Sequence, residues 1–432
     1  MFQKIINTLG TRVFSAVLNL LIAIFISQHL GAIGKGQQGL IIATITYILI
    51  FSNLVGGSTL VYLVPRYGYS RLLLPSYIWS ILMSLAFYFI LTTTRIIEDP
   101  LILNICILSI FISFISIHSN LLIGLERVKT ANLIWFLQPL MIIGFLLTYF
   151  LWGISISIDT YFNALYFSLS ILLIISFILL IKAKRTPVIF KLQSNFNILS
   201  EMFRLGFLNQ LAHIFQMLSF RMSYYWLGQV YSEAEVGIYS NGTSLIESVW
   251  LLSRSISMVQ YSRIVNMNDK KEAQKLTLIL SKLSFVISFV ILLPMIFLPS
   301  SFYKFIFGEG FGDVRLVIQS LAPGVLFLNL NIIISHYFSG TGKYHLNSMA
   351  SFVGLCTAIP LFSWMIPAFG ILGAGFASSI SYIVTTMVIL YFYKKEAGIN
   401  FRDLRLTHYD LLQVKKLYNN TFLTKKQEDD HH

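Results

Sequence analysis

Long apolar runs recur along almost the whole chain, and they constrain its fold more than any other feature. A helix needs roughly 20 apolar residues to cross the hydrocarbon core of a bilayer, and a backbone in lipid has to satisfy its own hydrogen bonds. The runs lie near residues 10–30, 38–63, 73–93, 101–123, 131–152, 160–181, 206–228, 237–262, 276–298, 314–340, 346–368 and 371–393. The pattern predicts an all-α polytopic membrane protein with twelve transmembrane helices.

Charged residues are too scarce for a water-facing surface. They make up 11% of the chain, whereas soluble domains carry about a quarter. The basic start is followed by an apolar run that is long enough to span and shows no evident cleavage site, so we expect it to stay as a helix. Cys106 and Cys356 both fall inside predicted spans, and we therefore expect neither a disulfide nor a cysteine metal site.

Basic residues favour one set of alternate loops. Most of the 31 lysine and arginine residues fall in the loops on the side of the N-terminus or in the tail after residue 393. The outer loops are expected to hold only four: Lys35, Arg95, Lys304 and Arg315. Basic loops stay in the cytoplasm, so both chain termini are expected there. The same bias explains the net charge of +13 through topology and contact with anionic membrane lipids, without nucleic acid as a partner.

One local pattern occurs twice. "SQHLGAIGKGQQG" (27–39) and "YWLGQVYSEAEVG" (225–237) each close an apolar run with Leu-Gly, continue as a polar turn and open the next run with Gly. A second echo joins "IGLERVKTAN" (123–132) and "SGTGKYHLN" (339–347). Six spans lie on each side of a basic stretch, so both halves enter the membrane from the same side. We predict two parallel six-helix repeats around a V-shaped central cavity with alternating access.

The predicted domains follow from this division. They are an N-terminal six-helix lobe (1–181), a basic cytoplasmic linker (182–205), a C-terminal six-helix lobe (206–393) and a basic, partly disordered cytoplasmic tail (394–432). We expect the tail to lie on the inner leaflet before it becomes disordered.

Four patches carry a resemblance to a known family. They are "NTLGTRVFSAVLNLLIAIFISQHLGAIGKGQQGL" (7–40), "NLVGGSTLVYLVPR" (53–66), "FGEGFGD" (307–313) and "SGTGKYHLN" (339–347). With them the chain resembles the O-antigen and capsule repeat-unit flippases of the multidrug/oligosaccharidyl-lipid/polysaccharide exporter superfamily. The resemblance implies a bacterial inner-membrane protein that moves a polyprenyl-diphosphate-linked oligosaccharide from the cytoplasmic to the outer leaflet. Glycan-assembly proteins are the partners that it suggests.

Polar residues recur on one face of two repeat-related spans. Arg12 and Asn19 share a face of the first span, and Asn209, His213 and Gln216 share a face of the seventh. When the Leu-Gly pairs are aligned, Arg12 corresponds to Asn209 and Asn19 to Gln216. The two spans thus carry polar residues at the same depth in the membrane, which favours a cavity wall that they share. Hydrogen bonding between helices is the alternative.

Ionisable residues inside predicted spans are costly and usually functional. Arg221, Arg254 and Arg12 are candidate ligands of a diphosphate or an anionic sugar, because a guanidinium offers paired donors to phosphate oxygens. Glu247 is the one acidic residue well inside a predicted span. It is a candidate for coupling to H⁺ or Na⁺, since burial disfavours a charged carboxylate, or a structural partner of Arg254 or Arg221.

Three arginines fall at the cytoplasmic ends of predicted spans: Arg66, Arg204 and Arg263. Long basic side chains at helix ends often reach toward the membrane surface as anchors. A cytoplasmic opening of the cavity is the alternative role.

Other classes of function fit less well. The chain has no Gly-rich phosphate loop followed by Lys-Ser/Thr, and we predict no enzyme activity, cofactor or metal site. A membrane sugar polymerase or glycosyltransferase would be expected to have larger outer loops than 299–314. A drug or cation antiporter of the same superfamily would favour carboxylates in the first span, and residues 10–30 contain none. Flippases of lipid-linked peptidoglycan precursors resemble a fourteen-helix plan, whereas twelve runs are present here.

Overall fold

The computed structural model describes residues 2–398 except 58, 98, 184–195, 266 and 268, and it describes no side chains at 2–9, 11, 12, 196, 197, 208, 209 and 262. Most of the predicted linker (182–205) and the tail beyond residue 398 therefore lie outside the described residues. The lobe boundaries at 181 and 206 stay predictions.

The described residues fold as α-helices joined by short connections. These are α1 Phe2–Gly56, α2 Thr59–Tyr67, α3 Tyr69–Thr94, α4 Asp99–Gly124, α5 Val128–Leu151, α6 Ile158–Ala183, α7 Phe196–Val230, α8 Glu233–Glu247, α9 Trp250–Val265, α10 Lys270–Phe297, α11 Ser300–Phe307, α12 Val314–Gly340 and α13 Tyr344–Ala397, with a 3₁₀ turn at Glu309–Phe311. In the described part of the chain, eight helical segments are long and apolar enough to cross a membrane.

Two of the helices each contain two predicted spans. Gly31, with φ 65° and ψ −167°, breaks α1, and Gly370, with φ 56° and ψ −129°, breaks α13. A left-handed φ favours glycine because it has no Cβ to clash. The predicted eighth span, 237–262, is α8 followed by α9, with the break directly after Glu247. With α1 and α13 divided and α8 and α9 joined, the chain has the twelve spans expected from the sequence.

The first polar turn was wrongly expected to be a loop. Residues 32–56 continue as helix immediately after Gly31. Lys35, which was placed in an outer loop, is buried, and its Nζ donates to Gln38 Oε1 at 2.6 Å. A helical backbone satisfies its own hydrogen bonds, so this short polar segment can be buried between neighbouring helices.

Each half of the chain has its own apolar core. One cluster of buried side chains runs from Leu18 to Met202. A second draws mainly on residues from Phe220 to Tyr382. Ala43 is its one buried member from the first half, and partly buried side chains of α1 pack against it: Leu20, Ile24, Ala32 and Leu40. This separation is what two repeats that bury their helices independently would produce.

The halves meet where α1 packs on α7 and α8. We call the end of the bundle with Gly31 and Gly370 the kink end, and the end with Arg66 and Lys343 the basic end. At the kink end the two repeated stretches pack against each other. A Cβ on Gly36 would lie 1.8 Å from the carbonyl oxygen of Glu233, and a Cβ on Gly237 would lie 2.0 Å from that of Ala32. Small residues allow such close backbone approach between membrane helices, so the halves are closed at this end.

Hydrogen bonds support the same interface. Asn241 Nδ2 donates to Ser27 Oγ at 2.7 Å beside the glycine contact. Further along, the hydroxyls of Thr44 and Tyr225 lie 2.7 Å apart. At the basic end, the Tyr67 hydroxyl donates to Glu201 Oε2 at 2.7 Å. The second segment of α1 and the helix that follows it therefore contact α7 over most of its length.

Candidate functional site

A polar cavity of about 460 Å³ lies within the C-terminal half, between α7, α9, α12 and α13. Its polar walls are formed by His213, Gln216, Arg254, Asn331, His336 and Asn347. Phe220 and Trp250 add aromatic rings to the lining, with their centroids 5.2 Å apart. None of the described side chains that line this cavity is acidic.

Helical periodicity explains why the lining residues of α7 and of α9 face the cavity together. His213, Gln216 and Phe220 recur at spacings of three and four on α7, and Trp250 and Arg254 are four apart on α9. Residues at these spacings share one helix face. The predicted stripe of α7 thus reaches the cavity through His213 and Gln216.

A hydrogen-bonded brace shapes the wall where α12 turns into α13. Asn347 Nδ2 donates to the carbonyl of Ser335 at 2.9 Å and to Ser339 Oγ at 3.0 Å. The Ser335 hydroxyl donates to Asn331 Oδ1 at 3.0 Å. Asn347 Oδ1 is buried without a hydrogen-bond partner, and a buried acceptor in that state is costly. It can accept a hydrogen bond from a ligand hydroxyl or amide.

Arg254 supplies the fixed charge of the cavity. Its guanidinium carbon lies 5.7 Å from the centroid of the Trp250 ring, within the range of a cation–π interaction. It also lies within electrostatic reach of both imidazoles, His213 and His336. A concave wall of this sign attracts anions.

Arg221 and Glu247 form a separate, neutral pair. Arg221 donates from both terminal nitrogens to the two carboxylate oxygens of Glu247, at 3.0 and 2.9 Å. It also donates to the Tyr224 hydroxyl at 3.1 Å, which lies 2.6 Å from Thr243 Oγ1. The Arg221 and Glu247 side chains are 21% and 17% exposed. Of the two partners that the sequence left open for Glu247, the structure places Arg221 against it, and Arg254 is on the cavity wall.

Asn19, the predicted site residue of the first span whose side chain is described, does not line the cavity. Asn19 is exposed, and its Nδ2 donates to the carbonyl of Ser15 within the same helix at 2.9 Å. The side chains of Arg12 and Asn209 lie outside the described part of the molecule. A wall shared by α1 and α7 therefore stays a prediction.

The three arginines predicted at helix ends are exposed and do not line the cavity. Arg66 stacks on Tyr62, donates to its hydroxyl and lies 3.9 Å from a carboxylate oxygen of Glu201. Arg263 lies 4.0 Å from Glu272. Exposed pairs of this kind contribute little stability, and a role at the cavity opening stays a prediction for Arg66, Arg204 and Arg263.

Asn331, His336 and Asn347 are site residues that the sequence did not assign. One signal was present, because Asn331, Ser335 and Ser339 follow each other at spacings of four and so lie on one face of α12. Asn347 also ends the repeated stretch 339–347. Neutral polar residues are common between packed helices, which is why the pattern did not single them out.

Comparison with solved structures identifies the fold. The chain is similar to an inward-facing multidrug resistance MATE family transporter of the MOP superfamily, with a TM-score of 0.72 and 13% identity, covering 91% of this chain and 98% of that one. It is similar to the lipid II flippase MurJ in an inward closed conformation, with a TM-score of 0.71 and 17% identity, covering 96% and 93%. The chain has the fold of the MOP superfamily. This MOP fold contains two six-helix repeats, so the predicted fold class is confirmed and the protein is a multi-pass membrane protein.

An outward-facing member of the superfamily is also similar to the chain in fold. An outward-facing MATE family transporter of the superfamily gives a TM-score of 0.62 with 13% identity, covering 93% and 95% of the two chains. That is lower than the 0.72 of the inward-facing structure.

Sequence relatives match a smaller part of the chain. No family model matches the chain. It is 28% identical over 173 residues to the capsular polysaccharide biosynthesis protein CapF of Staphylococcus aureus, covering 39% of this chain and 43% of CapF. It is 21% identical over 180 residues to the probable low-salt glycan biosynthesis flippase Agl15 of Haloferax volcanii, covering 41% and 38%. The match spans about two fifths of these relatives, and their names confirm the resemblance seen in the sequence.

Proposed function

We propose that this protein is a flippase. It moves an oligosaccharide repeat unit linked to polyprenyl diphosphate from the cytoplasmic to the outer leaflet of a bacterial inner membrane. The observation that carries the proposal is the cavity in the C-terminal half, which combines Arg254 and two imidazoles with amide and hydroxyl groups and has no acidic side chain among its described lining residues. The likeness to a capsule biosynthesis protein and a glycan flippase supports this class of substrate.

The cavity provides for both parts of such a head group. Arg254 binds phosphate oxygens through paired donors, which a single ammonium group cannot offer. Gln216, Asn331 and the unpartnered oxygen of Asn347 exchange hydrogen bonds with sugar hydroxyls. Trp250 and Phe220 offer an apolar surface beside them.

Arg221 has a lesser role in binding, because its charge is compensated by Glu247. Two well-aligned hydrogen bonds hold that pair, so a diphosphate would have to displace a carboxylate to reach Arg221. We assign the primary contact to Arg254, and we keep Arg12 and Asn19 on α1 and Asn209 on α7 as predicted contributors. Glu247 stays the candidate for coupling to H⁺ or Na⁺.

Alternating access follows from opening the contact at Gly36 and Gly237 while the basic end closes. In the present arrangement the kink end is closed, so the substrate enters from the basic end. The concentration of lysine and arginine at that end supports a cytoplasmic location for it and for both termini. Anionic lipids surround it there, and glycan-assembly proteins are the candidate partners.

An ion-coupled drug or cation antiporter is the second candidate, because MATE family transporters share the fold. A carboxylate-lined cavity would favour a cationic drug, and the described lining of this cavity does not provide one. A sugar polymerase or glycosyltransferase is disfavoured, because the relatives and neighbours are named as transporters and flippases.

The test is the lipid pool of a strain that lacks the gene. Mass spectrometry, with and without a membrane-impermeant hydrolase, measures polyprenyl-diphosphate oligosaccharide on the cytoplasmic side. We expect accumulation that the wild-type gene and Arg95→Asn relieve and Arg254→Ala does not. Arg95 is an exposed residue with φ 49° at the end of α3, a conformation that Asn tolerates, so this control removes a charge away from the cavity. Unchanged lipids and surface glycans, with increased sensitivity to cationic drugs, would instead identify an antiporter.

A further inference from the structure

Two histidines from different helices face the same cavity as Arg254. His213 lies on α7 and His336 on α12, and both belong to the lining. They interact electrostatically with each other as well as with the guanidinium of Arg254. Histidine is the side chain that ordinarily changes charge between about pH 5 and pH 8, so the charge of this cavity depends on whether these two rings are protonated.

The hydrogen bonding of His336 determines where an added proton goes. Its Nδ1 lies 2.7 Å from the carbonyl oxygen of Ile332. A carbonyl oxygen only accepts, so Nδ1 carries the hydrogen and Nε2 of the neutral ring carries a lone pair. A lone pair repels an anion. After protonation, Nε2 becomes a charged donor and binds one.

The surroundings of the two rings favour their protonation when an anion is bound. Among the described residues, the other titratable or charged groups that line the cavity with them are Arg254 from α9 and Tyr344 from α13. Tyr261 lies edge-on to His336 at 6.5 Å between ring centroids. None of the described lining side chains is a carboxylate that could compensate a protonated ring internally. Positive charge on His213 or His336 is therefore opposed by Arg254 while the cavity is empty of anions, and it is stabilised when an anion lies among the three groups.

We propose that His213, His336 and Arg254 form a proton-linked site for the diphosphate group. As the diphosphate binds beside Arg254, a proton from water is taken up by the rings, on Nε2 in the case of His336, and it returns to water when the diphosphate leaves. The N–H bond formed on protonation is the only bond that changes, and it breaks again when the proton returns to water. This inference rests on the proposed function for the identity of the anion, and it adds that binding of the head group and uptake of protons are linked, as two ligands of one site must be.

Calorimetry on the full-length protein in detergent tests the linkage. The probe is P¹,P²-dimethyl diphosphate, a diester that remains fully ionised across the pH range of interest, so every proton taken up binds to the protein. Titration in two buffers of different ionisation enthalpy gives the number of protons. We expect uptake of about one proton per diphosphate near neutral pH, and on the order of tenfold tighter binding near pH 6 than near pH 8.

Matched variants assign the proton. His213→Gln and His336→Gln should each lower the uptake, and the double variant should abolish it while weaker binding through Arg254 persists. His345→Gln is the control, because His345 is exposed next to the cavity on α13 without lining it. It should behave as the wild type. The wild-type titration needs no variant to fold, so it tests the proposal by itself.

The outcomes separate this inference from the proposed function. Diphosphate binding without proton uptake, or equal uptake by the double histidine variant, overturns the inference and leaves the flippase proposal intact. Proton-linked binding of methyl glucuronide, without binding of the diphosphate, overturns the assignment to the head group and assigns the site to an acidic sugar. Proton-linked diphosphate binding in a protein whose loss leaves the lipid pool unchanged supports the site and contradicts the flippase.

Discussion

The two halves of the molecule share a helix plan, but they use a histidine in corresponding helices in opposite ways. In the N-terminal half, His118 of α4 is buried, and its ring nitrogens are hydrogen-bonded to the hydroxyls of Tyr77 and Ser176, the latter at 2.7 Å. In the C-terminal half, His336 of α12 lies on the wall of the polar cavity. One histidine joins helices together, and the other is available to a ligand.

A small difference in register explains the contrast. His118 lies six residues before Gly124 at the end of α4, whereas His336 lies four residues before Gly340 at the end of α12. Two residues correspond to a rotation of about 200° around an α-helix. The repeat thus specifies which helix carries a polar residue, and the register within that helix specifies what the residue faces.

The comparison depends on two halves that meet at glycines, and Gly237→Leu should break that contact. A Cβ there would lie 2.0 Å from the carbonyl oxygen of Ala32, and a backbone atom cannot move aside as a flexible side chain can. We expect a loss of about 3 kcal/mol or more, at the upper end of overpacking effects. The measurement is thermal unfolding in detergent, together with disulfide formation in an S27C/N241C variant as a report of closure.

Gly144→Ala is the control for this prediction, because no atom lies within 4 Å of the added Cβ. It should not lower stability, and it can raise it by up to about 1 kcal/mol, because Ala is the better helix former. Efficient cross-linking in the Gly237→Leu protein would contradict the role assigned to the glycine contact.

The ion pair of the C-terminal half should be the next most sensitive feature. Arg221→Ala leaves Glu247 partly buried without its bidentate partner. Breaking a fully buried pair costs about 3–5 kcal/mol. Because these side chains are 21% and 17% exposed, we expect about 2–3 kcal/mol.

A double-mutant cycle separates the pair from its surroundings. R221M/E247L should lose less stability than the sum of its two single variants, because neither charge is left behind. Additive losses would show that the two side chains do not depend on each other.

His118→Phe sharpens the contrast between the two histidines. It removes hydrogen bonds from the hydroxyls of Tyr77 and Ser176, and we expect a loss of about 1–3 kcal/mol for buried groups left unsatisfied. Binding of dimethyl diphosphate should be unchanged. His336→Gln should give the reverse result, with little change in melting temperature and weaker binding near pH 6. The same effect of both variants on binding would remove the distinction between the halves.

Arg254→Lys should give the smallest effect. The positive charge of the cavity stays, but the paired donors and the planar contact with Trp250 are lost. We expect about 1 kcal/mol in the affinity for dimethyl diphosphate, close to the value of one hydrogen bond, and no change in unfolding temperature. Arg95→Asn serves as the control here too. A loss as large as that of Arg254→Ala would show that geometry, and not charge, determines binding at this position.

About half of the polar side chains of the candidate site were predicted from the sequence, and those that were missed share a physical reason. His213, Gln216 and Arg254 were predicted, because a polar residue within an apolar run can be recognised from the sequence alone. Asn331 and Asn347 were not, because neutral amides occur as often between packed helices as on cavity walls. Their function as a brace depends on contacts between α12 and α13 that no single helix displays.

The sequence by itself determined the class of the molecule, its twelve spans and its repeat. Those properties follow from hydrophobicity and periodicity, which act locally: lipid requires long apolar helices, and a duplicated pattern is visible wherever it occurs. Only the tertiary structure decided that Lys35 is buried in a helix, that Glu247 pairs with Arg221, and that Gly36 and Gly237 bring the two repeats together. Partners of this kind are chosen by the rotation and approach of whole helices, and a shift of one or two residues in register turns a side chain from a neighbouring helix toward a cavity.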